Sequence, residues 1–206
     1  MKVVLASKSP RRKEILQNLG VKFEIITADT DESSEVTKPD ALVRELALRK
    51  GEAVANKIIA DKIFSADESV LVLSSDTVVA VDERILGKPS DLSDAADMLS
   101  LIEGRDHSVY SGIAAILIED GKCQKSVSVA EETVVRFAPM TEKEIEFYIN
   151  NESVLDKAGA YAIQGIASAW IEKIDGDYFN VVGLPVRRMF KLLGEEFGIT
   201  LEALRG

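Results

Sequence analysis

Leu5-Ala-Ser-Lys-Ser-Pro-Arg-Arg-Lys-Glu-Ile-Leu16 sets the pattern of this chain: a strand, a polar turn, then a helix that starts with the wrong charges. Val3, Val4 and Leu5 form a short apolar strand that runs into two serines. Ser9 is placed to cap a helix, and Pro10, with its fixed φ and missing N–H, suits the first helical position. Ile15, Leu16 and Leu19 give that helix an apolar face, and Gly20 sits where it should stop. Arg11, Arg12 and Lys13 crowd the first turn, where the backbone N–H groups already present positive partial charge. Each cation there costs about 0.3–1 kcal/mol. A turn with N–H groups, hydroxyls and uncompensated cations suits an anion, so the stretch reads as a phosphate-binding loop. The plain alternative is a capped helix start with solvated basic residues.

The whole chain narrows the classes. Its 206 residues make one large domain or two small lobes, with ample length for a core. A formal net charge of −10 argues against general binding to nucleic acid or anionic membrane, because there is no global positive field. The local cations at residues 11–13 become more informative for that reason. The single Cys123 excludes an internal disulfide and fits a reducing compartment; its place in a strand points to packing. No apolar run approaches about 18 residues and no signal peptide is evident, so a cytoplasmic protein without a membrane span is expected.

Outward from the opening stretch, residues 21–25 alternate as a strand and an acidic loop follows, with Asp29, Asp31, Glu32 and Glu35. Pro39-Asp40 opens a long helix with Leu42, Val43, Leu46, Ala47, Val54, Ala55, Ile58 and Ile59 on one face. Gly51 lies inside it at a cost of about 1 kcal/mol relative to Ala. Residues 70–73 are a continuous apolar run, read as a buried strand that ends in Ser74-Ser75-Asp76-Thr77. Residues 78–81 and 84–86 form a hairpin, and Ser93 is expected to cap the next helix. Residues 109–118 and 123–137 read as long strands joined at Asp120-Gly121. Thr141 with Glu144 is a capping box. Residues 166–174 and 178–182 read as strands, and Pro185 opens a last helix. Helices and strands interleave while hairpins imply antiparallel pairs, so the fold class is α/β with a mixed, twisted sheet flanked by helices.

Chemistry falls to few residues. Asp76 follows a buried apolar strand, where a carboxylate at the strand's end can serve as a base or cation ligand. Glu32 lies in a loop after another strand, and Mg²⁺ takes one or two carboxylates plus phosphate oxygens. Both have plain readings, a turn residue for Asp76 and a solvated loop for Glu32. Lys88 is held between Gly87 and Pro89, and Lys50 falls within the long apolar-faced helix. Residues 156–165 combine Lys157 with small residues that permit close backbone approach and with Gln164, whose amide can read the edge of a base. His107, the only histidine, is too little for a nucleophilic triad and reads as a polar strand residue; Trp170 reads as packing, Arg187 and Arg188 as solvated.

Together these segments resemble the Maf family of nucleoside triphosphate pyrophosphatases. Leu5-Ala-Ser-Lys-Ser-Pro-Arg-Arg12 is similar to its N-terminal signature, and Ser75-Asp-Thr-Val-Val79 to its catalytic strand. Leu86-Gly-Lys-Pro89, Asp156-Lys-Ala-Gly-Ala-Tyr-Ala-Ile-Gln-Gly165 and Lys173-Ile-Asp-Gly-Asp-Tyr178 through Gly183-Leu-Pro185 follow in the family's order. The likeness spans essentially the whole chain, as one domain over residues 1–206. It implies a fold like the inosine triphosphate pyrophosphatases, two lobes around a nucleotide cleft, and hydrolysis of a nucleoside triphosphate to monophosphate and pyrophosphate. It implies a divalent cation, Mg²⁺ first with Mn²⁺ or Co²⁺ as alternatives, near Asp76 and Glu32. Asp76 takes the place of the proton acceptor, with Glu32 and Lys88 as its catalytic companions. Ser7, Arg11, Arg12, Lys50, Lys88 and Lys157 match positions that hold phosphates or line the cleft. Arg12, Thr77 and Gln164 match those that mark the branch acting on dTTP and UTP. A homodimer is a family-level expectation. Ser75, Gly51, Ala162 and Ser111 depart from the usual family residues, all small for small, which bears on fine specificity. Two rival readings stay open: a nucleotide-binding regulator of cell division without turnover, and a nucleotidyltransferase.

Overall fold

The computed structural model describes residues 1–205. The chain forms two compact units: one from Met1–Asp76, Ser111–Glu131 and the segment from Gly183 on, the other from Thr77–Tyr110 and Glu132–Val182. One seven-stranded sheet runs β2-β1-β3-β5-β6-β7, with β4 paired to β3. Its strands are β1 (Lys2–Leu5), β2 (Glu24–Ile25), β3 (Val70–Val81), β4 (Arg84–Leu86), β5 (Asp106–Glu119), β6 (Lys122–Phe137) and β7 (Ile171–Asp175).

In the first unit β1 lies parallel to both its neighbours, with Val4 opposite Glu24 and Val72, and Leu5 opposite Ile25 and Leu73. Helix α1 (Pro10–Asn18) makes the crossover from β1 to β2. It stops as expected: Gly20 takes φ +73°, and the amides of Gly20 and Val21 return to the carbonyls of Gln17 and Leu16 at 2.9 and 3.1 Å. The long helix α2 (Pro39–Ala60) buries Val54, Ala55 and Ile58 against Val4, Val70, Val72 and Ile116. Two glycines set how close α2 comes. A Cβ at Gly112 would run into the Val43 carbonyl, and one at Gly51 would meet Ser74 Oγ at 2.7 Å and Ile116 Cδ1 at 3.0 Å. Ser74 Oγ donates to the Ala47 carbonyl of α2 at 2.6 Å, so strand and helix are joined at the same spot. Helices α6 (Val186–Phe197) and α7 (Leu201–Arg205) complete this unit.

In the second unit β3 and β4 pair antiparallel, with Val79 opposite Leu86, and β7 pairs antiparallel with β6. Helix α3 (Leu92–Ile102) packs Leu99 and Ile102 against Val79, Val109 and Phe137, and helix α4 (Glu142–Asn151) adds Ile145 and Tyr148. The capping box at Thr141 and Glu144 is formed on both sides. A short helix, α5 (Tyr178–Val182), ends the unit. No helix among the described residues is long and apolar enough to cross a membrane.

The α/β class, the mixed sheet, the long helix and the two-residue turn Asp120-Gly121 agree with the sequence reading. Several local readings are corrected. Strand β2 keeps only two residues, both exposed. Strand β3 does not end at Ser74 but continues through Asp76 to Val81. Asp91, not Ser93, caps α3, accepting from the Asp94 amide at 2.9 Å. Residues 166–170 form a 3-10 helix after Gly165, which takes φ +86°, and residues 178–182 are helical. The Pro185 helix is followed by one more. Cys123 is exposed on β6 rather than packed.

Candidate active site

The opening loop is organised by Ser7 more than by Ser9. The Ser9 side chain makes no cap hydrogen bond; instead the Ser9 amide donates to Ser7 Oγ at 3.2 Å. The same buried hydroxyl accepts from Arg12 Nη1 at 3.2 Å. Arg12 Nε donates to the Gly183 carbonyl at 2.8 Å, and Ser75 Oγ donates to that carbonyl at 2.9 Å. Arg12 is thus tied to β3 and to the start of α6 within one unit. Burial lowers its pKa, Arg11 pushes it the same way, and the carboxylates of Asp76 and Glu32 oppose the shift. Arg12 therefore has its counterions across space, not along the helix.

Those carboxylates meet on Lys50. Its Nζ lies 2.5 Å from Asp76 Oδ1 and 2.8 Å from Glu32 Oε1. The Asp76 and Lys50 side chains retain only 11% and 18% exposure, while Glu32 keeps 49%. A shielded ion pair next to a half-open carboxylate holds strong local fields at low effective dielectric. The Gly51 and Gly112 contacts explain why Lys50 reaches: they bring α2 down onto β3 and β5 beside Asp76.

Ser7, Arg12, Glu32, Lys50 and Asp76, all singled out in the sequence, are joined in the first unit, and Arg11 is close enough to act on Arg12. Thr77, Lys88, Lys157 and Gln164 belong to the second unit. Lys88 and Gln164 are exposed, whereas Lys157 is buried, its ammonium bonded to the Ser153 carbonyl and to Asp156 Oδ1, the latter at 2.6 Å. His107 is structural: buried, with Nε2 2.7 Å from the Tyr161 hydroxyl. The Gly183 carbonyl is an anchor that side-chain motifs do not reveal, although the Gly183-Leu-Pro185 segment marks its place. Among the described residues no group of three or more His, Cys, Asp or Glu gathers to hold a metal.

Fold and cluster define an α/β protein whose paired carboxylates and cations suit a polyanion. The family is specific: the model described as Maf-like protein matches residues 2–196, and the chain belongs to the Maf family. A relative from Thermoanaerobacter sp. (strain X514), named dTTP/UTP pyrophosphatase, is 44% identical over 98% of this chain and 100% of its own length. One of the same name from Caldanaerobacter subterraneus subsp. tengcongensis is 46% identical over 97% of this chain and 91% of its own. Among solved structures, the Ham1 protein of Staphylococcus aureus aligns over 67% of this chain and 72% of its own, at 14% identity and a TM-score of 0.39, too loose to carry an argument.

Proposed function

We propose that this protein hydrolyses dTTP and UTP to the monophosphate and pyrophosphate. The name shared by full-length relatives at 44–46% identity supports the substrates. The observation that carries the chemistry is Lys50 held between Asp76 and Glu32. In the reaction, water adds to the α-phosphorus and the bridge to the β-phosphate breaks. Asp76 takes the water's proton, while Lys50 on Oδ1 holds that carboxylate in place. Arg12, fixed by Ser7 and Gly183, and Arg11 beside it offset charge on the phosphates. Thr77, Lys88, Lys157 and Gln164 are assigned substrate contacts from their place in the family motifs alone.

We also propose that Asp76 and Glu32 hold a divalent cation, Mg²⁺ first. Two carboxylates converging on one cationic nitrogen fit the donor set Mg²⁺ takes together with phosphate oxygens and water. When bound, such an ion neutralises phosphate charge. A cytoplasmic setting, where free nucleotides are met, goes with this reading.

The test is incubation with Mg²⁺ and, separately, dTTP, UTP, CTP, 7-methyl-GTP and ITP, with products resolved by chromatography. Monophosphate and pyrophosphate from dTTP and UTP are expected. The same products from 7-methyl-GTP or ITP alone would discard the pyrimidine assignment. Binding without turnover would discard hydrolysis.

A further inference from the structure

Glu32 sits in an exposed loop that has no regular structure between β2 and α2, yet its carboxylate is placed on Lys50. Backbone entropy of about 1–2 kcal/mol per residue opposes any single loop geometry. The residue next to Lys50 explains how the placement is kept. Arg49 Nη1 donates to the carbonyls of Asp31 and Ser33 at 2.7 Å each, the two residues on either side of Glu32. Its Nη2 bonds to Glu45 one turn earlier on α2, and the same Glu45 oxygen accepts from Ser34 Oγ at 3.2 Å. Within the loop, the Asp31 carboxylate accepts from the Ser33 amide and hydroxyl at 2.8 and 2.7 Å, and Ser34 Oγ accepts from the Val36 amide at 3.1 Å. A planar guanidinium can serve two carbonyls and a carboxylate together, in a fixed geometry that a single ammonium does not impose.

We propose that Arg49 is the positioning residue of Glu32: it fastens the backbone on both sides of Glu32 to α2, so that clamp and ammonium come from consecutive residues of one helix. Arg49 touches neither Asp76 nor the reacting atoms; it acts through Glu32. The proposal rests on the hydrolytic reading above, and its test separates the two.

Wild type, R49M, E32Q and the double variant are compared by kcat and KM for dTTP with Mg²⁺. In parallel, thermolysin cleavage within residues 27–38 is followed by mass spectrometry. R49M should lower kcat about tenfold in the wild-type background and less than about twofold in E32Q, since a residue acting through another is non-additive with it. R49M should also raise loop cleavage several-fold. Equal losses in both backgrounds, or loop cleavage unchanged by R49M, would overturn the proposal. If the wild type does not turn over dTTP, the hydrolytic reading fails, and the cleavage arm still decides the clamp.

Discussion

Gly51→Ala tests how α2 is brought to the site. On an isolated helix the change should stabilise by about 0.8–1.0 kcal/mol through propensity alone. Here the new Cβ would lie 2.7 Å from Ser74 Oγ and 3.0 Å from Ile116 Cδ1, both inside ordinary contact. Overpacking of this kind costs about 1–3 kcal/mol. Ser74 must also move, and its buried hydroxyl then loses the 2.6 Å bond to Ala47, for about 1–3 kcal/mol more. The balance is a net destabilisation of about 3 kcal/mol, which for a chain of this size lowers Tm by roughly 6–12 °C. Ser74→Ala removes the obstacle along with the hydroxyl, so the double variant should recover much of the loss, with a coupling of about 2 kcal/mol. Calorimetry on the wild type, the two single variants and the double variant reads this directly. A Gly51→Ala variant that melts higher than wild type would refute the reasoning. So would additivity of the two changes to within about 0.5 kcal/mol.

The remaining predictions concern the charges. Asp76→Asn keeps the shape of the side chain but removes the proton acceptor and the negative charge that faces Lys50, and should lower turnover of dTTP by about 10²-fold or more. A variant folded by circular dichroism and within threefold of wild type would end the assignment. His107 is buried with a pKa lowered to about 4, chiefly by burial, with Asp106 opposing. The unfolded chain takes up a proton near pH 6.5 and the folded one does not until about pH 4, so stability falls as pH drops through that window. Between pH 7.5 and 4.5 the loss from this residue is roughly 2–3 kcal/mol by linkage. Urea unfolding of wild type and His107→Gln at both pH values should show that part of the acid sensitivity removed. An equal drop in both proteins would refute it.

Elements whose own spacing decides them were legible in the sequence. Helix α2 is announced by its apolar face, and the β5–β6 hairpin by Asp120-Gly121, both at positive φ. Residues 178–182 read as a strand because Tyr, Phe and Val favour one. The helix there is imposed from outside the segment. Asp177 accepts from the Phe179 amide at 2.8 Å, and buried Asn180 Nδ2 donates to the Val109 carbonyl and Thr133 Oγ1 at 2.9 and 3.0 Å. Tertiary partners override a local preference of that size.

The polar run in β3 departs from its sequence reading for a related reason. Ser74, Ser75 and Asp76 look like the end of a strand because burying three polar groups in a sheet is costly without partners. Each has one that sequence spacing does not reveal: Ala47 O, Gly183 O and Lys50 Nζ. The residue types of the site could therefore be named in advance, while their pairing could not, since Lys50 and Asp76 lie 26 positions apart. The three partners also do different things. Ser74 sets the depth of α2, Ser75 holds the carbonyl that anchors Arg12, and Asp76 meets the ammonium that α2 delivers. A strand that keeps three consecutive polar residues buried, two of them satisfied from α2 and one from the segment that leads into α6, is a strand built to fix one carboxylate among cations.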